Sequence, residues 1–279
     1  MQGYPEKLST LSINLSGPLA VRHKARLIGN GSKLVVFSHG LGNDQRSWEA
    51  VIGQLPSDVC ALVYDLPGAG PLLPADFDPE DYSSIADYAD DLLNLLDEIG
   101  VERFTFVGHS VSGMIGVLAS IEEPARFEQL VLLNSSPHYL NADGYTGGFD
   151  QAELDSLFTA MSANYQAWVA GFAPAAVGVD VPKAIIDFSE GLLAMRPDVT
   201  AKIARMIFTS DLRHVLRLVS VPTLLIHARE DIAVPAAVGH FLHQAIAGSH
   251  IEWINSAGHL PHLTAPYEVA AVLRATLAV

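Results

Sequence analysis

This chain has little cysteine, little positive charge and no long unbroken apolar segment. Cys60 is its single cysteine, so no disulfide can form within the chain, and such a composition suits a reducing compartment. Lysine and arginine together number 16 against 31 aspartates and glutamates, which gives a formal net charge of −15. Because no basic cluster is present to bind phosphates, the sequence argues against nucleic acid and against an anionic membrane surface as partners.

The chain also lacks targeting and metal-binding signals. Residues 1–20 contain no positively charged start followed by a long apolar core. We therefore expect neither a signal peptide nor a transmembrane helix, and the expected location is the cytoplasm. The 11 histidines are scattered without the spacing of a metal site, so no metal is expected.

Short apolar runs rich in β-branched residues alternate with longer helical patterns along the 279 residues. Buried strands are predicted at residues 33–38, 59–64, 104–107, 130–133, 223–227 and 251–254. Residues 83–99 place apolar side chains three and four apart with acids on the other face, which predicts a helix. This order predicts an α/β fold with a mostly parallel sheet flanked by helices, in which ligands bind beyond the carboxyl ends of the strands.

Between Leu133 and Pro222 the alternation stops and the sequence is helical. Helices are predicted at residues 151–161, 165–172, 182–194 and 198–208. We expect these four helices to form a lid inserted over the sheet. The predicted domains are thus an α/β core of residues 1–134 and 218–279 and a helical lid of residues 135–217.

The stretch GHSVSG, which begins at Gly108, has the pattern of a nucleophile elbow except that Ser112 replaces the last glycine. It follows a predicted strand and opens a predicted helix, where such a turn must lie. Small neighbours are needed because the backbone of the turn approaches other elements closely, and serine is among the smallest residues. Ser110 is therefore a candidate nucleophile, although a serine at this place can also simply cap the helix.

A serine nucleophile needs a base, and the base needs an acid that orients it. Asp231 follows the predicted strand 223–227, and His259 follows the predicted strand 251–254, so both lie in turns at carboxyl ends of strands. The chain order of serine, acid and histidine is the order that this kind of sheet requires. Glu230 is an alternative acid and His262 an alternative base, but we expect the catalytic triad to be Ser110, Asp231 and His259.

The sequence HGLG, which starts at His39, follows the first core strand. A turn of this kind supplies a backbone N–H group to an oxyanion hole, and its glycines allow the chain to approach the substrate. We assign the oxyanion donors to the backbone N–H groups of Leu41 and Val111. His39 is expected to hold the loop rather than to catalyse.

Longer motifs give the chain a resemblance to a known group of hydrolases. The segments GHSVSGMIGVLASI, HGLGNDQRSW, SPHYLNADGYTGGF, ANYQAWVAGFAPAAVG and GHLPHL are similar to the strigolactone and karrikin receptor hydrolases of plants and to the bacterial stress regulator RsbQ. The resemblance implies the α/β-hydrolase fold, with a four-helix lid over a small apolar pocket. It also implies slow hydrolysis of butenolide ligands without a cofactor.

Further implications of the resemblance concern the pocket, the partners and the location. Residue by residue, it implies that substrate is bound by Leu41, Tyr139, Phe149, Leu157, Trp168, Phe172, Phe208 and Ile232. The implied ligand is small, hydrophobic and butenolide-like, a signalling protein is a possible partner at the lid, and a plant receptor would also be nuclear. The alternatives are a metabolic carboxylesterase without a signalling role and a non-catalytic binding protein.

Overall fold

The computed structural model describes residues 13–70 and 78–277 and contains a seven-stranded sheet. Its strands are β1 (Arg26–Ile28), β2 (Lys33–Ser38), β3 (Val59–Val63), β4 (Phe104–His109), β5 (Phe127–Leu133), β6 (Thr223–Glu230) and β7 (His250–Ala257). Their order across the sheet is β1-β3-β2-β4-β5-β6-β7, and β1 pairs antiparallel to β3 while the other pairs are parallel. The predicted α/β class with a mostly parallel sheet is confirmed.

Helices flank the sheet and cover its two faces. The α-helices are α1 (Pro18–Arg22), α2 (Glu49–Ile52), α3 (Ile85–Glu98), α4 (Val111–Glu122), α5 (Gln151–Ala163), α6 (Tyr165–Val177), α7 (Pro182–Ala194), α8 (Pro197–Thr209), α9 (Ala236–Ala245), α10 (Pro261–Thr264) and α11 (Pro266–Leu277). Short 3₁₀ turns occupy Gln45–Trp48, Pro79–Asp81, Pro124–Arg126 and Arg213–Leu218. Two apolar clusters, one on each face of the sheet, form the core.

The central strand β4 and the helix that follows it are buried almost completely. Every residue of β4 is buried, as expected for a strand covered on both faces. Helix α4 is also mostly buried, and a Cβ atom added at Gly116 would lie 2.5 Å from the ring of Phe106. The glycine therefore lets α4 lie directly on the sheet, which fixes the helix start at the carboxyl end of β4.

Helices α5 to α8 lie between β5 and β6 in the chain, within the predicted lid segment. Helix α5 packs against α6 and α8, and α6 packs against α7. Helix α6 continues past its predicted end at Phe172 to Val177, where Gly178 with a φ of 70° ends it. The division into core and lid stays a prediction, and residues 1–12, 71–77 and 278–279 of the predicted core lie outside the described residues.

None of the helices within the described residues has both the length and the apolar character needed to cross a membrane. The residues read for a targeting signal lie partly outside the described range, which starts at residue 13.

Candidate active site

Ser110 lies in a sharp turn between β4 and α4. Its backbone angles are φ 57° and ψ −123°, a conformation that L-residues rarely adopt. The N–H group of Ser110 donates to the backbone oxygen of Leu133 on the neighbouring strand at 2.9 Å, which holds the turn in place. A Cβ atom added at Gly108 would lie 2.5 Å from the backbone of Ser112, so glycine is required there. The turn thus has the geometry of a nucleophile elbow, although Ser112 replaces the last glycine of the motif.

Ser110, His259 and Asp231 form a continuous chain of hydrogen bonds. The Oγ atom of Ser110 lies 2.8 Å from Nε2 of His259, and Nδ1 of His259 lies 2.7 Å from Oδ2 of Asp231. The carboxylate can only accept, so the proton of the neutral imidazole is on Nδ1 and Nε2 is free to accept from the serine hydroxyl. The side chain of Asp231 is only 1% exposed, which strengthens its interaction with the imidazole.

The carboxylate of Asp231 is fixed by three further donors. Its Oδ1 atom accepts from the backbone N–H groups of Ala233 at 2.8 Å and Val234 at 3.1 Å. Its Oδ2 atom also accepts from Nδ2 of Asn134 at 3.0 Å. These bonds orient the carboxylate toward His259. Asn134 is not among the predicted site residues, although a polar residue directly after the buried strand β5 is a signal for this edge of the sheet.

The loop that carries His259 is attached on two sides. The N–H group of His259 donates to the backbone oxygen of Ala176 in α6 at 2.7 Å. Its carbonyl accepts from Nε2 of His109, also at 2.7 Å. Burial lowers the pKa of His109 well below its ordinary value, so this ring is neutral, and its proton is on Nε2 because a carbonyl can only accept. His109 was not among the predicted site residues.

The alternative acid and base lie elsewhere. The side chain of Glu230 is exposed, and its backbone oxygen accepts from the N–H group of Gly258 at 2.7 Å. His262 is fully buried between the rings of Trp48 and His109, with centroid distances of 4.8 and 4.3 Å. Burial lowers the pKa of His262 to about 3, and its ring nitrogens have no hydrogen-bond partner among the described residues. The structure therefore brings His259 and Asp231, and not these alternatives, to Ser110.

The loop after β2, residues 39–43, has a defined backbone orientation. The backbone oxygen of Gly40 accepts from Nδ1 of His39 at 2.9 Å and from the N–H group of Asn43 at 3.2 Å. In a trans peptide the carbonyl and the following N–H group point in opposite directions, so the N–H group of Leu41 points away from these partners. The Nε2 atom of His39 accepts from the N–H group of Leu66 at 3.0 Å. His39 therefore holds the loop through both ring nitrogens, and its burial lowers its pKa.

The same loop lies directly against the elbow. A Cβ atom added at Gly40 would lie 3.0 Å from Cβ of Ser110 and 2.8 Å from Nδ1 of His109. Helix α4 begins at Val111, and the first N–H groups of a helix have no partner within it. The loop and the helix start thus flank Ser110, as an oxyanion hole requires. The assignment of the donors to Leu41 and Val111 stays a prediction.

A cavity lies above the Ser110 hydroxyl. Seven of the predicted pocket residues line it, namely Leu41, Tyr139, Phe149, Leu157, Phe172, Phe208 and Ile232. Further lining residues that the sequence did not indicate are Asn43, His109, Ala176, Phe188, Ile207, Ala233 and Leu260. The described lining contains no Asp, Glu, Lys or Arg. The polar groups that face a ligand are therefore few, and among them the hydroxyl of Tyr139 lies 3.4 Å from Oγ of Ser110.

Trp168 differs from the other predicted pocket residues because it does not line this cavity. Its indole is 8% exposed and stacks on the ring of Phe172 with a centroid distance of 4.7 Å and an interplanar angle of 15°. It also stacks on Tyr165 at 5.6 Å. Trp168 and Phe172 are one helical turn apart, so their side chains are neighbours on α6. Phe172 lines the cavity, and Trp168 packs against the ring of Phe172 without lining the cavity itself.

No cluster of three or more potential metal-ligating side chains occurs within residues 13–70 and 78–277.

Most of the chain is similar to known proteins in both sequence and structure. The sequence pattern of the alpha/beta hydrolase family matches residues 35–272. The strigolactone esterase RMS3 of Pisum sativum is 44% identical over 262 residues, which are 93% of this chain and 98% of that protein. The karrikin insensitive 2 receptor CA of Petunia hybrida is 45% identical over 253 residues, which are 90% and 94% of the two chains. A solved hydrolase from Oleispira antarctica, 28% identical, has a TM-score of 0.90 over 94% of this chain and 96% of its own.

Proposed function

Because this chain belongs to the alpha/beta hydrolase family, in the group of the strigolactone esterases and karrikin receptors, we propose that it is a serine hydrolase of small neutral lactones or esters. The observation that carries the proposal is the hydrogen-bonded chain from Asp231 through His259 to Ser110, which ends beneath an apolar cavity. This arrangement supports nucleophilic acyl transfer by Ser110.

The reaction begins at the Ser110 hydroxyl. Its proton moves to Nε2 of His259 as Oγ bonds to the carbonyl carbon of the substrate, and the negative charge goes to the carbonyl oxygen. Asp231, 2.7 Å from Nδ1, stabilises the imidazolium that forms. The N–H groups of Leu41 and Val111 donate to the oxyanion.

The tetrahedral intermediate then breaks the bond to the leaving oxygen, which takes the proton from His259. A water molecule repeats the sequence on the acyl-enzyme, with His259 again as the base, and releases the acid and the free Ser110. For a lactone ring, acid and alcohol or enol remain in one product.

The substrate class follows from the cavity lining. A cavity lined mostly by apolar and aromatic side chains suits a small hydrophobic molecule with a few oxygen atoms, and this description fits a butenolide. The described lining has no cation, and the whole chain has a net charge of −15, so a carboxylate in the cavity would lose its hydration without gaining a partner. We therefore propose neutral rather than anionic lactones and esters.

A matched pair of esters tests this proposal: 4-nitrophenyl hexanoate and mono-4-nitrophenyl adipate, which share the leaving group and the chain length. We expect kcat/KM to be at least ~100-fold higher for the neutral ester, because an unpaired buried carboxylate costs several kcal/mol. The Ser110→Ala variant is the control and should release 4-nitrophenol from neither ester above background. Equal rates for the two esters would refute the neutral substrate class, and an active Ser110→Ala variant would refute the serine mechanism.

A signalling role is proposed on the basis of the karrikin receptors to which the chain is similar. In this role a protein partner binds at helices α5 to α8 after a ligand has loosened them. A receptor of this kind should turn over slowly and melt at a lower temperature with a butenolide bound. A metabolic carboxylesterase should instead show brisk turnover of simple esters without destabilisation. The cytoplasmic location expected from the sequence stays a prediction.

A further inference from the structure

Four groups form a buried chain of hydrogen bonds behind the candidate active site. The hydroxyl of Tyr64 lies 2.8 Å from Oγ of Ser38, which lies 2.8 Å from Oγ of Ser112. Oγ of Ser112 lies 2.5 Å from the backbone oxygen of His39. All four residues are at most 1% exposed, and burial raises the pKa of Tyr64, so the phenol keeps its proton.

The carbonyl of His39 is the last group in this series of hydrogen bonds, and it determines the direction of every bond in the series. The carbonyl of His39 can only accept, so the hydroxyl of Ser112 donates to it. Ser112 then accepts from Ser38, and Ser38 accepts from Tyr64. Hydrogen bonds aligned in one direction polarise each other, and their low-dielectric surroundings strengthen them. The chain therefore holds the carbonyl of His39 more firmly than a single hydroxyl would.

The carbonyl of His39 belongs to the loop that reaches over Ser110. The bond from Ser112 fixes the peptide group between His39 and Gly40, and the two bonds to the backbone oxygen of Gly40 fix the next peptide group, which carries the N–H group of Leu41. Ser112 itself is in the first turn of α4, two residues after Ser110. Its hydroxyl thus connects the nucleophile elbow to the loop that carries one of the two proposed oxyanion donors.

Ser112 stands where the nucleophile-elbow motif has its last glycine. A glycine there would leave the space free but would provide no donor for the carbonyl of His39. The side chain of Ser112 is fully buried and is not part of the cavity lining, so it acts on the substrate only through the loop.

We propose that Ser112 is a positioning residue for the hydrolytic reaction: its hydroxyl fixes the distance between Ser110 and the oxyanion donor of Leu41. The proposal rests on the proposed serine mechanism and adds to it a residue that contacts neither substrate nor base. Loss of the hydroxyl leaves substrate binding in the cavity unchanged and weakens the binding of the oxyanion in the transition state.

The test compares Ser112→Ala and Ser112→Gly with the wild-type protein, and Ser120→Ala serves as the matched control. Ser120 is on the same helix and equally buried, but its hydroxyl donates to the backbone oxygen of Val117 within the helix at 2.9 Å. We expect kcat for 4-nitrophenyl hexanoate to fall about 10-fold in both Ser112 variants with KM unchanged, which is less than the ~100- to 1000-fold lost when a whole oxyanion donor is removed. Ser120→Ala should keep the wild-type kcat.

A second readout separates positioning from a general structural role. A trifluoromethyl ketone adds to Ser110 and places an oxyanion in the hole, so its inhibition constant should weaken by the same factor as kcat. A purely structural serine would lower the melting temperature and leave kcat and this constant at their wild-type values well below that temperature. The proposal is overturned if either folded Ser112 variant retains kcat within about twofold of the wild type, a difference too small for a misplaced donor. An active Ser110→Ala variant would overturn the serine mechanism instead.

Discussion

Asn134 connects three strands at the carboxyl edge of the sheet through one side chain. It follows β5, its Oδ1 atom accepts from the N–H group of Ala228 in β6 at 2.8 Å, and its Nδ2 group donates to Asp231 at 3.0 Å. Nδ2 also donates to the backbone oxygen of Gly258 after β7 at 3.2 Å. The backbone φ of Asn134 is 44°, in the left-handed region that asparagine tolerates better than most residues. One residue thus orients the carboxylate of Asp231 and the loop that carries His259.

Two substitutions distinguish the effect of the Asn134 amide on catalysis from the effect of its left-handed backbone conformation on stability. Both Asn134→Gly and Asn134→Ala remove the amide that orients Asp231, so we expect both to lower kcat by about 10- to 100-fold, the range known for groups that orient the ligands of a metal site. Asn134→Ala also places a Cβ atom on a left-handed backbone and should be less stable than Asn134→Gly by about 1 kcal/mol. Steady-state kinetics and urea denaturation measure the two effects. Wild-type kcat in the glycine variant would contradict the role of the amide.

The sequence alone predicts a site residue when a reactive residue type stands in a turn directly after a predicted strand. Ser110, Asp231 and His259 were predicted because each is the reactive residue type in a turn that follows a strand. Asn134 and His109 were missed because no catalytic motif includes them as reactive residues: each acts through a hydrogen bond to another site residue, 97 and 150 positions away. Such contacts follow from which strands are neighbours, and the sequence pattern does not give the strand order.

At the scale of elements, helix α7 meets the loop after β2 through two glycines. A Cβ atom added at Gly191 in α7 would lie 2.1 Å from the backbone oxygen of Gly42, and one added at Gly42 would lie 2.6 Å from Cδ2 of Leu192. Gly42 also has a φ of 76°, which favours glycine. The loop that carries Leu41 is therefore in backbone contact with one of the four helices above the cavity.

Gly191→Ala tests this contact. The added methyl group has no space, so we expect the variant to lose about 1–3 kcal/mol of unfolding free energy. We also expect a lower kcat, because the loop moves relative to Ser110.

Gly171→Ala in α6 is the matched control. It adds the same methyl group within a helix, but beyond the backbone of its own helix and its chain neighbours this group meets no atom within 4 Å. This variant should gain about 0.5–1 kcal/mol from helix propensity and keep its kcat. If Gly191→Ala were as stable and as active as Gly171→Ala, the proposed close contact would be wrong.

Strands and helices were predicted well in their centres and less well at their ends. Strand β4 continues through Gly108 and His109 and strand β5 starts at Phe127, because pairing with neighbours extends both strands beyond their apolar runs. Strand β1, only three half-buried residues on the edge of the sheet, was missed because it has no apolar run. Helix α11 was not predicted either, although its buried residues have helical spacing.

At the scale of the whole molecule, four histidines are buried as neutral rings. Burial lowers the pKa values of His39 and His109, that of His227 to about 4 and that of His262 to about 3. The unfolded chain binds these protons near the ordinary pKa of about 6.5, and the folded chain binds them only at lower pH. Their contribution to stability is therefore complete above pH ~6.5 and is lost as the pH falls below it.

We predict that the free energy of unfolding falls between pH 6.5 and pH 5, with each such histidine adding up to about 1.4 kcal/mol per pH unit to the slope. Hydrogen bonds lower the pKa values of Asp44, Asp91 and Asp211, so these carboxylates do not take up protons in this range. Urea denaturation of the wild type and of His262→Phe measures the slope. The variant should show a shallower slope, since Phe fills the space between Trp48 and His109 without titrating.

Ser120→Ala is the control for this measurement, because it changes a buried side chain that does not titrate. It should leave the slope unchanged. A His262→Phe variant with the wild-type slope would contradict the interpretation that His262 is neutral in the folded protein.

The central claim is that Ser110 attacks a lactone or ester held in the apolar cavity, and mass spectrometry of the trapped intermediate tests it most directly. The protein is incubated with a synthetic butenolide enol ether, quenched in acid within seconds, digested and mapped by tandem mass spectrometry. We predict a covalent ligand fragment on the peptide that contains Ser110 or, after transfer, on the peptide that contains His259, and no adduct in the Ser110→Ala variant. An adduct of equal yield in Ser110→Ala, or hydrolysis by that variant at the wild-type rate, would contradict the account.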